Sequence, residues 1–165
     1  MAKKRRWRFP HALLSIAALL IFSGCSGDNK QVASEFIELG AEGLVADRLY
    51  NLESFYDSLQ PPHSSVTPRL VVRYSDSCEA DSLILKIETS WLSADSVYDC
   101  NLRLPLFDNH GNPQGKGSLG LYEVVEAIPV NVKLEEGLYF SILSPRSAPG
   151  VVSLGVVLAE DLNNN

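Results

Sequence analysis

Leu83-Ile84-Leu85-Lys86-Ile87-Glu88-Thr89-Ser90-Trp91 is followed, six residues on, by Tyr98-Asp99-Cys100-Asn101-Leu102-Arg103-Leu104-Pro105-Leu106. In both runs apolar residues alternate with polar ones. A side-chain period of two is that of a strand with one face buried and one in water. The six residues between the runs are short enough to turn the chain back, so the pair predicts an antiparallel hairpin. Leu85, Ile87, Trp91, Leu102 and Leu104 are then expected to share a buried layer. Pro105 cannot donate to a ladder, which puts that end of the second run at a sheet edge or a bulge.

Outward from this hairpin the pattern repeats. Upstream, Leu70, Val72 and Tyr74 alternate with Val71 and Arg73. Downstream, Asp108-Asn109-His110-Gly111-Asn112-Pro113 is a turn cluster, and Gly115, Gly117 and Gly120 mark bends or bulges in the next strand. Ile128, Val130, Val132 and Leu134 alternate again, and Glu135-Glu136-Gly137 reads as a hairpin turn. Leu138, Phe140 and Ile142 follow, and 151–158 closes the series. Seven or eight short strands with frequent turns predict an all-β, antiparallel β-sandwich of immunoglobulin-like architecture. One segment reads two ways. Val45, Leu49, Leu52, Tyr56 and Leu59 fall at helical spacing, so one short helix near 45–59 fits, yet the same stretch is rich enough in Tyr and Phe for a strand.

The N-terminus carries the clearest functional signal. Lys3, Lys4, Arg5, Arg6 and Arg8 precede an apolar stretch from Ala12 to Phe22, then Ser23, Gly24 and Cys25. That order resembles the bacterial lipoprotein signal, with Phe22 standing where Leu is usual. The resemblance implies cleavage before Cys25, a diacylglycerol on its thiol and an acylated α-amine. One acyl chain holds a protein marginally; two or more hold it stably. Residues 1–24 are therefore expected to be a signal peptide, 25–34 a lipidated tether, 35–160 a single domain and 161–165 a frayed tail. In Gram-negative bacteria an Asp after the cysteine resembles an inner-membrane retention signal. Ser26 thus favours the outer membrane, with the leaflet left open.

Charge narrows the partners. From Cys25 onward there are nine basic and twenty acidic residues, a net of −11 over 141 residues. So acidic a body argues against nucleic acid, which needs a basic face. Two histidines remain beyond Cys25, His63 and His110, both in turn-like loops without metal-ligand spacing. The 108–112 cluster lacks the alternating acids and downstream Glu of a calcium loop. Gly115-Lys116-Gly117 lacks a phosphate-loop framework. No catalytic residue, metal or cofactor is expected. Trp91, Tyr56, Tyr98, Tyr122 and Tyr139 leave a second reading open, a ligand-binding patch of exposed aromatics. Cys78 and Cys100 are expected to stay unbridged. With Cys100 opposite about residue 89, Cys78 lies roughly 35 Å away along an extended strand, against the roughly 7 Å a disulfide allows.

Several motifs of the C-terminal half occur in order: Gly115-Lys116-Gly117-Ser118-Leu119-Gly120-Leu121-Tyr122-Glu123, Asn131-Val132-Lys133-Leu134, Glu136-Gly137-Leu138-Tyr139-Phe140, Ser144-Pro145-Arg146 and Pro149-Gly150-Val151. Together with the lipobox they resemble the GldH family of gliding-motility lipoproteins. The resemblance spans roughly residues 68–158. It implies a non-enzymatic envelope lipoprotein, a structural or interaction component of a motility and secretion apparatus that contacts other envelope proteins. It assigns a role to no residue beyond Cys25.

Overall fold

A computed structural model describes residues 31–54, 66–91, 94–130 and 137–160. These residues form nine strands: β1 Gln31–Glu38, β2 Leu49–Ser54, β3 Val66–Ser75, β4 Ser82–Trp91, β5 Ala94–Pro105, β6 Lys116–Ser118, β7 Leu121–Ala127, β8 Leu138–Leu143 and β9 Val151–Glu160. They pair antiparallel in a five-stranded sheet, β1-β9-β3-β7-β6, and a four-stranded sheet, β2-β8-β4-β5. The chain is an all-β, antiparallel sandwich. Its strand order is that of a jelly roll with one added hairpin strand, β6. Successive strands β1 to β4 cross from sheet to sheet in pairs, and β8 and β9 return between them. An immunoglobulin domain instead groups its strands ABED and CFG.

Alternation explains the core. On β4, Leu83, Leu85, Ile87 and Thr89 are buried, while Ile84, Lys86 and Glu88 face solvent. Opposite them lie Leu70, Val72 and Tyr74 of β3 with Leu154, Val156 and Leu158 of β9, all fully buried. The predicted hairpin is β4–β5, in register from Ser82↔Pro105 to Ser90↔Val97. Pro105 ends β5, the edge strand of its sheet. The register differs by two residues from expectation, since Cys100 faces Ile87 and not residue 89. Leu85, Ile87 and Leu104 are in the core as predicted, whereas Leu102 and Trp91 are only partly buried against it.

Three expectations are corrected. No helix forms over the described part of 45–59: Leu49–Ser54 is β2, paired with β8 from Leu49↔Leu143 to Ser54↔Leu138. Tyr50 and Leu52 point inward, and Leu49, the residue that created the helical spacing, is 53% exposed. Residues 55–59 lie outside the described residues. Second, no strand forms over the described part of the run Ile128, Val130, Val132 and Leu134: β7 ends at Ala127, and residues 131–136 lie outside the described residues. Ile128 and Val130 are buried all the same, flanking Pro129 in a stretch where Ile128 N–H donates to Pro68 O at 2.9 Å. Third, regular structure begins within the stretch read as tether, because β1 starts at Gln31 and pairs with β9 from there.

Candidate functional site

The antiparallel order fixes which loops meet. β1, β3 and β6 run one way, β9 and β7 the other. Gln31, where β1 begins, therefore lies at one end of the sandwich. The connections 39–48, 76–81, 106–115, 119–120 and 144–150 lie at the opposite end.

The 144–150 loop ties this far end together. Leu44 and Ala148 exchange backbone hydrogen bonds at 3.2 and 2.9 Å, Asp47 N–H donates to Ser144 O at 2.8 Å, and Ala46 N–H to Ser147 Oγ at 3.0 Å. On its other side Ser75 N–H donates to Gly150 O at 2.8 Å. Within the loop, Ser144 Oγ donates to Arg146 O at 2.6 Å. A recess of about 330 Å³ opens between this loop and residues 79–84; Glu79, Asp81 and Arg146 give it both signs of charge. The Ser144-Pro145-Arg146 and Pro149-Gly150 motifs thus build a loop scaffold and one wall of a polar recess.

The 108–112 cluster closes on itself. Asp108 accepts from His110 N–H through Oδ1, from Asn112 N–H through Oδ1 and from Asn112 Nδ2 through Oδ2, each at 2.8 Å. These donors, the Asn112 side chain foremost, hold the carboxyl below its ordinary range. The cluster is a side-chain-capped turn. Among the described residues no group of three or more His, Cys, Asp or Glu could hold a metal ion. His63 and Cys25 lie outside the described residues.

The tyrosines do not come together in one patch. Tyr74 is fully buried; its hydroxyl donates to Leu106 O at 2.6 Å and accepts from Gly115 N–H at 3.1 Å. Tyr122 packs on Tyr74 with ring centroids 5.8 Å apart and planes tilted by 36°, and Phe107 meets Tyr74 edge-on at 5.4 Å. Tyr98 and Tyr139 are half-buried on different strands, and Tyr56 lies outside the described residues. On the outer face of the five-stranded sheet, the Arg73 guanidinium stacks on the Phe36 ring at 4.6 Å and pairs with Glu123 at 2.9 Å.

Both thiols are free, as the register argument required. Their environments differ. Cys78, in the loop after β3, is buried against Gly150, whereas Cys100 on β5 is half-exposed. Burial, the largest influence on each, pushes both thiols above the ordinary range, with Glu79 adding to the rise at Cys78 and Asp99 at Cys100. Sequence reasoning also missed Leu119, whose side chain is wholly exposed at the β6–β7 turn. The Gly117-Ser118-Leu119-Gly120 run signals the turn but not which residue tops it.

No family model matches the chain. No curated protein matches it either. Among solved structures, the chain is similar to one described as PRD1 vertex protein P5, at 11% sequence identity and a TM-score of 0.40, over 81% of this chain and 99% of that one.

Proposed function

We propose that the protein is a lipid-anchored, non-enzymatic component of the bacterial cell envelope, held on the outer membrane through acyl chains on Cys25. The single observation that carries this reading is the order of basic start, apolar stretch, Ser23-Gly24 and Cys25. Its role is that of an interaction module that docks on other envelope proteins, in the manner of the gliding-motility lipoproteins its C-terminal motifs resemble. The gathering of five connections at the end away from Gln31 supports that role, since such an end offers loops for contact.

The test is metabolic labelling with a tagged fatty acid, together with the N-terminal mass of the mature chain. The wild type is expected to incorporate label and to begin at an acylated Cys25, and Cys25→Ala to incorporate none. Label persisting in the variant, or a mature chain beginning elsewhere, overturns the anchor. In a gliding host, loss of the gene is expected to abolish colony spreading and wild-type complementation to restore it. Unchanged spreading overturns the motility role.

A further inference from the structure

The two sheets end differently. On one side, β1 and β2 close against each other, where Glu53 N–H donates to a carboxylate oxygen of Glu35. On the other, the five-stranded sheet ends in β6, only three residues long, whereas the four-stranded sheet ends in β5, twelve residues long. Among the described residues β5 pairs with β4 alone. Long free edges are rare in natural sheets because they invite another strand.

The hydrogen-bonding sense of this edge follows from one bond. Leu106 N–H donates to Asp81 O at 2.8 Å, back toward the β4 side. The β4–β5 register runs unshifted from Ser82↔Pro105 to Ser90↔Val97. Alternation along the ladder then turns Leu104, Leu102, Cys100 and Tyr98 toward β4, and turns the backbone groups of Val97, Asp99, Asn101 and Arg103 toward the open side. Pro105 falls in the open set, so its missing N–H costs the β4–β5 ladder no bond. The side chains of Val97, Asp99, Asn101 and Arg103 are all exposed, so nothing among the described residues covers them. On the inner face of the same strand Tyr98, Cys100 and Leu102 remain only partly buried.

We propose that β5 pairs with β5 of a second copy of this chain, antiparallel about a two-fold axis through Asn101, joining two four-stranded sheets into one. Charge selects the partner and the register. A dyad through Asn101 sets Asp99 against Arg103 of the partner subunit, and Arg103 against the partner's Asp99. Both opposite-charge pairs then lie directly across the new ladder. A dyad through Cys100 would instead set Asp99 against an asparagine and Val97 against an arginine. A dyad between two residues would oppose outward-bonding to inward-bonding positions, and no ladder could form. On the inner face the Asn101 register brings Cys100 against Leu102 of the partner subunit, extending apolar cover over both. The contact is isologous and closed, so it stops at two copies. Antiparallel pairing puts the dyad normal to the sheet, and both Gln31 ends leave at one level along it. The pairing therefore neither needs nor opposes acylation at Cys25, and its failure would leave the anchor reading intact.

The test uses the whole chain in detergent. Sedimentation over a concentration series is expected to give a dimer. Asp99→Arg should weaken it by about ten-fold, because two facing attractions become repulsions, and Asp99→Arg with Arg103→Asp should restore it. Both positions are surface ones, and an unchanged circular dichroism spectrum certifies each variant's fold. Asn101→Cys on a Cys100→Ser background should form a dimer-sized disulfide on mild oxidation, since the Cα atoms of a hydrogen-bonded antiparallel pair lie about 5.5 Å apart. Cys100→Ser alone should not. A monomer at every concentration up to about 0.1 mM overturns the proposal and leaves the edge to a strand of another protein. A dimer that ignores the charge reversal and does not trap through Asn101→Cys overturns the placement on β5.

Discussion

Leu119 occupies the first central position of the two-residue turn joining Ser118 to Leu121, with φ +56°, and Gly120 follows at φ +78°. Positive φ at both central residues defines a type I′ turn, which favours Asn-Gly and disfavours a bulky residue first. The side chain gains nothing in return, because it is fully in solvent. Leu119→Asn should therefore stabilise the domain by about 0.5–1 kcal/mol; a lower midpoint in chemical denaturation would refute this account. Gly150 poses the opposite case. Its φ is +88°, and an added Cβ would lie 2.6 Å from Cys78 Cα and 2.9 Å from Cys78 N. Those are backbone atoms of a buried residue and cannot swing aside. Gly150→Ala should cost about 2–4 kcal/mol and free the Cys78 thiol for alkylation. A near-neutral melt with Cys78 still protected would show that the two loops do not press together. Asp108 makes a pH-dependent contribution. Its folded-state carboxyl lies below the ordinary range, so its contribution is complete above the unfolded value near pH 4 and drains away as pH falls through the folded value. Amide exchange at His110 and Asn112 should accelerate below about pH 4, and Asp108→Asn should flatten that acid response. Identical profiles for the two proteins would show that Asp108 does not hold the turn.

Strands were legible wherever one face is buried and the other wet. On β4 and β5 exposure alternates along the chain as the sequence does, with Ile84 and Val97 the apolar residues left outside and Thr89 the polar one taken in, so the hairpin could be read without coordinates. β1 was illegible for a physical reason. Phe36 lies on the outer face, stacked under Arg73, and Ile37 beside it packs against the core, so two adjacent apolar residues break the period of two. β2 failed similarly: exposed Leu49 and buried Leu52 stand three apart, which mimics a helix turn. Strand order was hidden altogether, because alternation tells faces and not neighbours. Cys25 was legible as a motif, whereas the loop cluster opposite Gln31 needed the topology. Trp91 marks the limit of pattern reading at this scale. It shares the alternation of Leu85 and Ile87, yet it sits past the register shift at Ser90 and is only partly buried. Trp91→Ala should therefore cost about 1–3 kcal/mol, short of the roughly 3–5 kcal/mol of a fully enclosed aromatic. A loss above that range would place the indole fully inside; a negligible one would return it to the surface as a candidate stacking platform.

At the scale of the molecule, the five-stranded sheet depends on the last of the described strands. β9 lies between β1 and β3, pairing with β1 from Gln31↔Ala159 to Glu38↔Ser153 and with β3 from Val66↔Glu160 to Tyr74↔Val151. It supplies Val151, Leu154, Val156 and Leu158 to the core. Without it the five-stranded sheet falls into an isolated β1 and the β3-β7-β6 piece, and the inner faces of Leu70, Val72 and Leu85 lose their cover. Neither piece can substitute, since a strand pairs only with a neighbour whose register buries the same face. Such long-range pairing also makes folding slow, because chain closure must precede most of the contacts that reward it. A chain stopped before Val151 should remain unfolded at every temperature, with collapsed amide dispersion and no cooperative melt. The intact chain should refold in milliseconds to seconds. Supplying residues 151–160 as a separate peptide should restore the melt, with a midpoint that rises with peptide concentration. A truncated chain that melts cooperatively by itself would mean that the β2-β8-β4-β5 sheet and the remaining strands form a core without β9, contrary to the pairing seen here.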